Sequence, residues 1–368
     1  MHSLKRAISE VENTDEPPAK VKNNQAQAQQ SIATAATTTE RSALGDLTTA
    51  ASNRATAAAA LPAANLTLAR KSDDPRLLSE YGRDESEKYA LKMRTDLPAG
   101  IDDIDVDDYV EPMFCAEYAD EIYNYMLTKE AEDLIDPDYM SRQPHITQRM
   151  RAILVDWMFE VSYKFKLVAE TYLLAISIVD RYLQRRVVAR ADLQLVGVAS
   201  ILAASKVEEV YSIEISDLVY IADNTYTKQQ IIEAERDVLC TIEWNVTVPY
   251  SIQFLRRCSK ALSNDGVTHT VGKYLVELAA VDYGMLKYRP SLIAAAAAYL
   301  ARRMTKKREP WTATAEFYTG YSVEQVLPAA RDLNNVVLNP NPKLKAVRTK
   351  FAAQKFAKVS EIPGVMNL

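Results

Sequence analysis

A catalytic centre needs a nucleophile beside a base, paired acids, a phosphate-cradling glycine loop or a cluster of metal ligands. The 368 residues of this chain show none of these at a working spacing. Cys115, Cys240 and Cys258 stand far apart and fit neither a disulfide framework nor a zinc site, which suits a reducing compartment. His2, His145 and His269 are as scattered, and the nine glycines form no GxGxxG or GxxxxGK loop. No catalytic residue, metal or cofactor is therefore expected, and the chain reads as a protein that acts by binding another. Two charged residues stand out. Lys206 ends a run of apolar and small residues, and Glu235 lies further on, in a segment that opens with a capping pattern. On pattern alone each could be an ordinary solvated helix charge.

The elements that must position them read as helices. Between His145 and Val248 there is no proline, and Gly197 is the one glycine. Five helical segments fit there, at about 147 to 164, 169 to 185, 191 to 209, 214 to 222 and 228 to 242. Thr227-Lys-Gln-Gln230 has the form of a capping box and marks the start of the fifth. The segments at 169 to 185 and 191 to 209 are apolar almost all round, so each should be surrounded by neighbours. In Met150 to Val161, Ala152, Val155 and Phe159 share one face, and Met150, Ile153, Leu154, Trp157 and Val161 form a second, with Arg151, Asp156 and Glu160 between. Such a helix is either buried all round or offers its second face to a partner.

The same phrases recur. Tyr172-Leu173 and Val179-Asp180 reappear as Tyr274-Leu275 and Val281-Asp282, and Tyr226-Thr-Lys-Gln-Gln-Ile is echoed by Tyr321-Ser-Val-Glu-Gln-Val. This predicts an all-α fold of two tandem five-helix domains, at 147 to 246 and 249 to 340, with an extension at 341 to 368. Leu202-Ala203 likewise reappears as Leu300-Ala301, and by these offsets Lys206 aligns with Met304 and Glu235 with Ala330, so the charged pair belongs to the first unit only.

Ahead of these units, residues 1 to 80 contain no Phe, Trp or Tyr, and residues 1 to 100 are read as a disordered regulatory tail. Residues 101 to 146 hold an acidic linker, Ile101 to Pro112, and an N-terminal helix whose Tyr118, Ile122, Tyr125 and Met126 share one stripe. A net charge of -5 argues against nucleic acid as a partner, and no apolar run is long enough for a membrane span.

Three ordered blocks, MRAILVDW at 150 to 157, LQLVGVASILAASKVEE at 193 to 209 and DNTYTKQQ at 223 to 230, closely resemble the cyclin box of the mitotic cyclins. Lys164-Phe-Lys-Leu, Ser177-Ile-Val-Asp-Arg-Tyr-Leu-Gln and Phe254-Leu-Arg-Arg-Cys-Ser-Lys are similar to the B type in particular, although the A type shares the first and third blocks. The resemblance implies a double cyclin fold and a regulatory subunit, active at mitosis in nucleus and cytoplasm, for a cyclin-dependent Ser/Thr kinase. It implies that the kinase catalytic subunit is met by Lys206, Glu235, Tyr118, Ile122, Tyr125 and Val207. Val207 stands where the family usually has an aromatic, and Ser212-Ile213 replaces its common Pro-Pro. Substrates and inhibitors bearing Arg-x-Leu would dock on Met150, Ile153, Leu154, Trp157, Arg190, Leu193 and Gln194. Arg41-Ser-Ala-Leu44-Gly45-Asp46, within 41 to 49, resembles the destruction box presented to the anaphase-promoting ubiquitin ligase, with Thr49 where the family usually has Asn. Two rival readings are a transcriptional cyclin, which needs no such box, and a general transcription factor of double cyclin fold. The second calls for a zinc ribbon near the N-terminus, where the first 114 residues lack cysteine.

Overall fold

Leu193–Glu208 has apolar or small residues on every side, and a helix of that kind is stable only when others enclose it. The computed structural model describes residues 97–368 apart from 110 and 367, and holds twelve α-helices and no strand among them. The Arg41 to Asp46 signal lies outside the described residues. In chain order the helices are α1 (Ala119–Glu132), α2 (Gln148–Lys164), α3 (Ala169–Leu183), α4 (Leu193–Glu208), α5 (Ile215–Ile221), α6 (Lys228–Thr241), α7 (Ser251–Ala261), α8 (Gly266–Val281), α9 (Pro290–Met304), α10 (Ala313–Thr319), α11 (Val323–Leu338) and α12 (Ala346–Phe351).

Helices α2 to α6 form one unit and α7 to α11 its repeat, each built round its third helix. In the first, α4 packs against α2, α3 and α6; in the second, α9 packs against α7, α8 and α11. Small residues make this close approach possible. A Cβ on Gly197 would stand 2.8 Å from Leu154 Cδ1, and Ala294 to Ala298 are all fully buried in α9. The echoed phrases occupy matching places. Thr227 and Ser322 each cap the fifth helix in a capping box closed by Gln230 and Gln325. The Tyr226 hydroxyl donates to the Ala191 carbonyl at 3.1 Å just ahead of α4, and the Tyr321 hydroxyl lies 2.7 Å from Ser291 Oγ in the first turn of α9.

The units are joined through α2. The Arg151 guanidinium, fully buried, donates to both carboxylate oxygens of Asp180 at 2.7 Å and to the Ala280 and Val281 carbonyls at the end of α8 at 3.1 Å. Tyr139 Oη donates to the same Asp180 at 2.8 Å. Asp156 accepts from the backbone N–H groups of Lys345 and Ala346 at 3.2 and 3.0 Å, so α2 also anchors the start of α12. Burial pushes the Asp156 carboxyl up to about 6 against those hydrogen bonds. On the far side of α12, Lys350 donates to both oxygens of buried Glu277 at 2.7 and 2.8 Å.

Two expectations change here. Residues 101 to 108 are not a free linker. The Asp102 and Ile104 N–H groups donate to Thr314 Oγ1 and Tyr318 Oη, both at 3.4 Å, and Asp105 is buried against Arg257 at 2.5 Å and Lys260 at 3.0 Å. Burial alone would raise the Asp105 carboxyl, but hydrogen bonds from Arg257 and Lys260 outweigh it and hold it below its usual value. The acidic run is a strap laid on α7 and α10. Second, the supposed free face of α2 is packed: α3, α4, α8 and α12 all touch this helix, so Met150, Ile153 and Leu154 are buried. The last two of those helices lie far away in sequence, which is why periodicity alone left the face open.

Candidate functional site

Glu235 stands in the middle of α6, where neighbouring α4 leaves it little solvent, and Lys206 stands in the last turn of α4. The Lys206 ammonium lies 2.7 Å from both Glu235 oxygens and donates to Oε2, while buried Oε1 has no hydrogen-bond partner. The lysine side chain is 49% exposed and the glutamate 10%. The ammonium, half in water, keeps donors for an incoming carbonyl, while the carboxylate is largely enclosed. At the repeat-related places Met304 and Ala330 are buried apolar residues, so the second unit has no such pair.

Exposed apolar side chains lie on α1 and at the end of α4. Tyr118, Ile122 and Tyr125 recur at helical spacing at the start and along the outside of α1, at 54, 45 and 63% exposure, and Val207 next to Lys206 is 46% exposed. Tyr125 and Val207 line one cleft with Met126, Lys129, Tyr250 and Gln253. The structure therefore brings Tyr125 and Val207 together, with Lys206 adjacent in sequence to Val207. The fourth stripe member, Met126, is instead partly buried against the core. Sequence reading missed four exposed residues that flank this surface in the chain: Met113 and Phe114 ahead of α1, and Val210 and Tyr211 just past α4. A Val-Tyr pair directly after a helix end, with no apolar repeat to bury it, was the available signal. Apolar side chains held out of the core in such numbers mark an interaction surface.

The seven residues assigned to substrate docking divide differently. Met150, Ile153, Leu154, Leu193 and Gln194 are buried, and Trp157 and Arg190 are half-buried. Leu154 is wholly enclosed against Gly197 of α4, so it belongs to the core and a ligand could not reach it without rearrangement. Gln194, in the first turn of α4, keeps a buried amide oxygen with no hydrogen-bond partner.

Two tandem five-helix units, each round a buried third helix, define the double cyclin architecture. Family models describe the same division: the cyclin N-terminal domain matches residues 121–247, and the cyclin C-terminal domain matches 249–364. The second match runs through α12, in the stretch that sequence reading set apart as an extension. The G2/mitotic-specific cyclin-B of Dictyostelium discoideum is 42% identical over 293 residues, which is 79% of this chain and 67% of that protein. The G2/mitotic-specific cyclin-B of Hydra vulgaris is 44% identical over 265 residues, 72% of this chain and 73% of that one. Among solved structures, a viral cyclin from herpesvirus saimiri superposes with a TM-score of 0.53 at 23% identity, over 57% of this chain and 93% of its own. The chain belongs to the cyclin family, among the B-type mitotic cyclins, and so to a family of kinase regulatory subunits rather than enzymes.

Proposed function

We propose that this chain binds and activates a cyclin-dependent Ser/Thr kinase at the G2/M transition, in nucleus and cytoplasm, and recruits substrates bearing Arg-x-Leu. The observation that carries the reading is the Lys206–Glu235 pair, present in the first unit only, with exposed Val207 next to Lys206 in sequence and in one cleft with exposed Tyr125. In this mechanism Lys206 donates to, and Glu235 accepts from, main-chain groups beside the kinase C-helix, while the apolar side chains bury against it. The C-helix moves inwards, which completes the kinase Lys–Glu pair that orients ATP and helps to open the activation segment. Val207 offers less contact area than an aromatic would, so kinase choice or affinity is set partly at this position.

Docking is supported by the half-buried Trp157 and Arg190. A leucine entering an apolar recess gains about 1.5 to 3 kcal/mol, enough to enrich a substrate tenfold or more and too little for a lasting complex. The test is phosphorylation by kinase mixed with wild-type chain or with Trp157→Ala, on a short peptide and on a protein bearing Arg-x-Leu. Wild type should activate the kinase on both. Trp157→Ala should leave the peptide rate nearly unchanged and slow the protein substrate several-fold. A large fall in melting temperature with loss of both rates would place Trp157 in the core and remove the docking role.

The tail would present Arg41 and Leu44 to the anaphase-promoting ubiquitin ligase. Arg41→Ala with Leu44→Ala should leave kinase activation intact while the protein persists through mitotic exit, and degradation at the wild-type rate would reject the signal.

A further inference from the structure

Helix α1 carries the exposed stripe, yet its opposite face is held by the second unit. Asp120, Tyr123, Leu127 and Glu130 recur at spacings of three and four and form one inward stripe. The Arg257 guanidinium of α7 donates to Asp120 at 2.9 Å and lies over the Tyr123 ring at 5.0 Å, and the Tyr123 hydroxyl donates to the Gln253 carbonyl at 3.3 Å. Leu127 lines a small cavity with Phe254, Cys258 and Tyr318 of the second unit. One turn further, buried Glu130 accepts from the Ser291 N–H at 2.9 Å and from Ser291 Oγ at 2.5 Å. Ser291 is in the first turn of α9, so Glu130 supplies from α1 the acceptor that the start of that helix needs. Burial raises the Glu130 carboxyl above its usual value, against those hydrogen bonds.

The two stripes lie on roughly opposite sides of one rigid helix. Wherever the inner stripe is fixed, the outer stripe is fixed too. We propose that Glu130 is a positioning residue through which the second unit, by way of Ser291 and α9, sets the placement of Tyr118, Ile122 and Tyr125 for the kinase. The proposal rests on the kinase-face reading above. It gives the second unit, which lacks the Lys206–Glu235 pair, a part in kinase binding without touching the kinase through that pair.

The experiment measures dissociation constants of the full chain for a purified cyclin-dependent kinase catalytic subunit, beside the melting temperature of each variant. Glu130→Ala is expected to weaken binding about tenfold. If it acts by misplacing α1, adding Tyr125→Ala to it should cost little more, because the contact that Tyr125 made is already lost. Adding Lys206→Ala, on an element that Glu130 does not hold, should multiply the two losses. Glu130→Gln keeps an acceptor for the Ser291 N–H and should recover most of the affinity; it also serves where the alanine variant does not fold. Unchanged affinity in Glu130→Ala, or losses that multiply with Tyr125→Ala as they do with Lys206→Ala, would overturn the proposal. A wild-type affinity in Tyr125→Ala alone would reject the kinase-face reading instead, and the proposal with it.

Discussion

Arg151→Ala is expected to lower the stability of the folded chain by about 3 to 5 kcal/mol, since removing one partner of a buried pair leaves the other charge uncompensated. Asp180 would keep the Tyr139 hydroxyl at 2.8 Å but lose both guanidinium hydrogen bonds. The Ala280 and Val281 carbonyls would lose their donor as well, at the junction between the units. For a domain pair of this size the change corresponds to a fall of about 10 °C in melting temperature. Asp180→Ala should cost a similar amount. The double variant should be more stable than the sum of the two losses implies, because no lone charge remains buried. Thermal unfolding followed by circular dichroism checks this, and a wild-type melting curve for Arg151→Ala would show that the junction is held by apolar packing alone.

Much of the fold was legible because its signals are local. The capping box at Thr227, the proline-free stretch after His145 and the all-round apolar character of 193 to 208 each act within one helix. The repeat could be read because both units use the same tyrosine and the same cap at the start of the fifth helix. What stayed hidden depends on partners distant in sequence. Arg151 and Asp156 look like surface charges between two apolar faces until α8 and α12 close over them. The run Ile101 to Asp108 reads as a solvated acidic linker until α7 presents Arg257 and Lys260, one turn apart, to Asp105. Leu154 reads as a docking residue because its stripe has no apolar partner in α2 itself; the partner is the bare backbone of Gly197. The residues proposed to meet the kinase were picked out by resemblance, Lys206 and Glu235 included; apolar spacing marked only Tyr118, Ile122 and Tyr125, and the structure adds that these three and Val207 stay exposed and that the two charges lie 2.7 Å apart.

The largest effect on binding is expected at Lys206. Truncating it removes the ammonium proposed to reach the kinase, and because that ammonium is half in water in the free protein, its pairing with Glu235 is screened by solvent. Central interface residues of this kind typically cost about 2 to 4 kcal/mol, or roughly 30- to 1000-fold in affinity. Because half of the lysine side chain is in water in the free protein, its removal should cost far less in folding than in binding. Lys306, exposed just past α9 in the second unit, is the matched control. The decisive measurement is a titration of a cyclin-dependent kinase catalytic subunit with wild type, Lys206→Ala and Lys306→Ala, each with its melting temperature. Kinase binding through the first unit predicts a loss of at least about 30-fold for Lys206→Ala at nearly unchanged melting temperature, and wild-type binding for Lys306→Ala. Equal affinities for the two variants would contradict it.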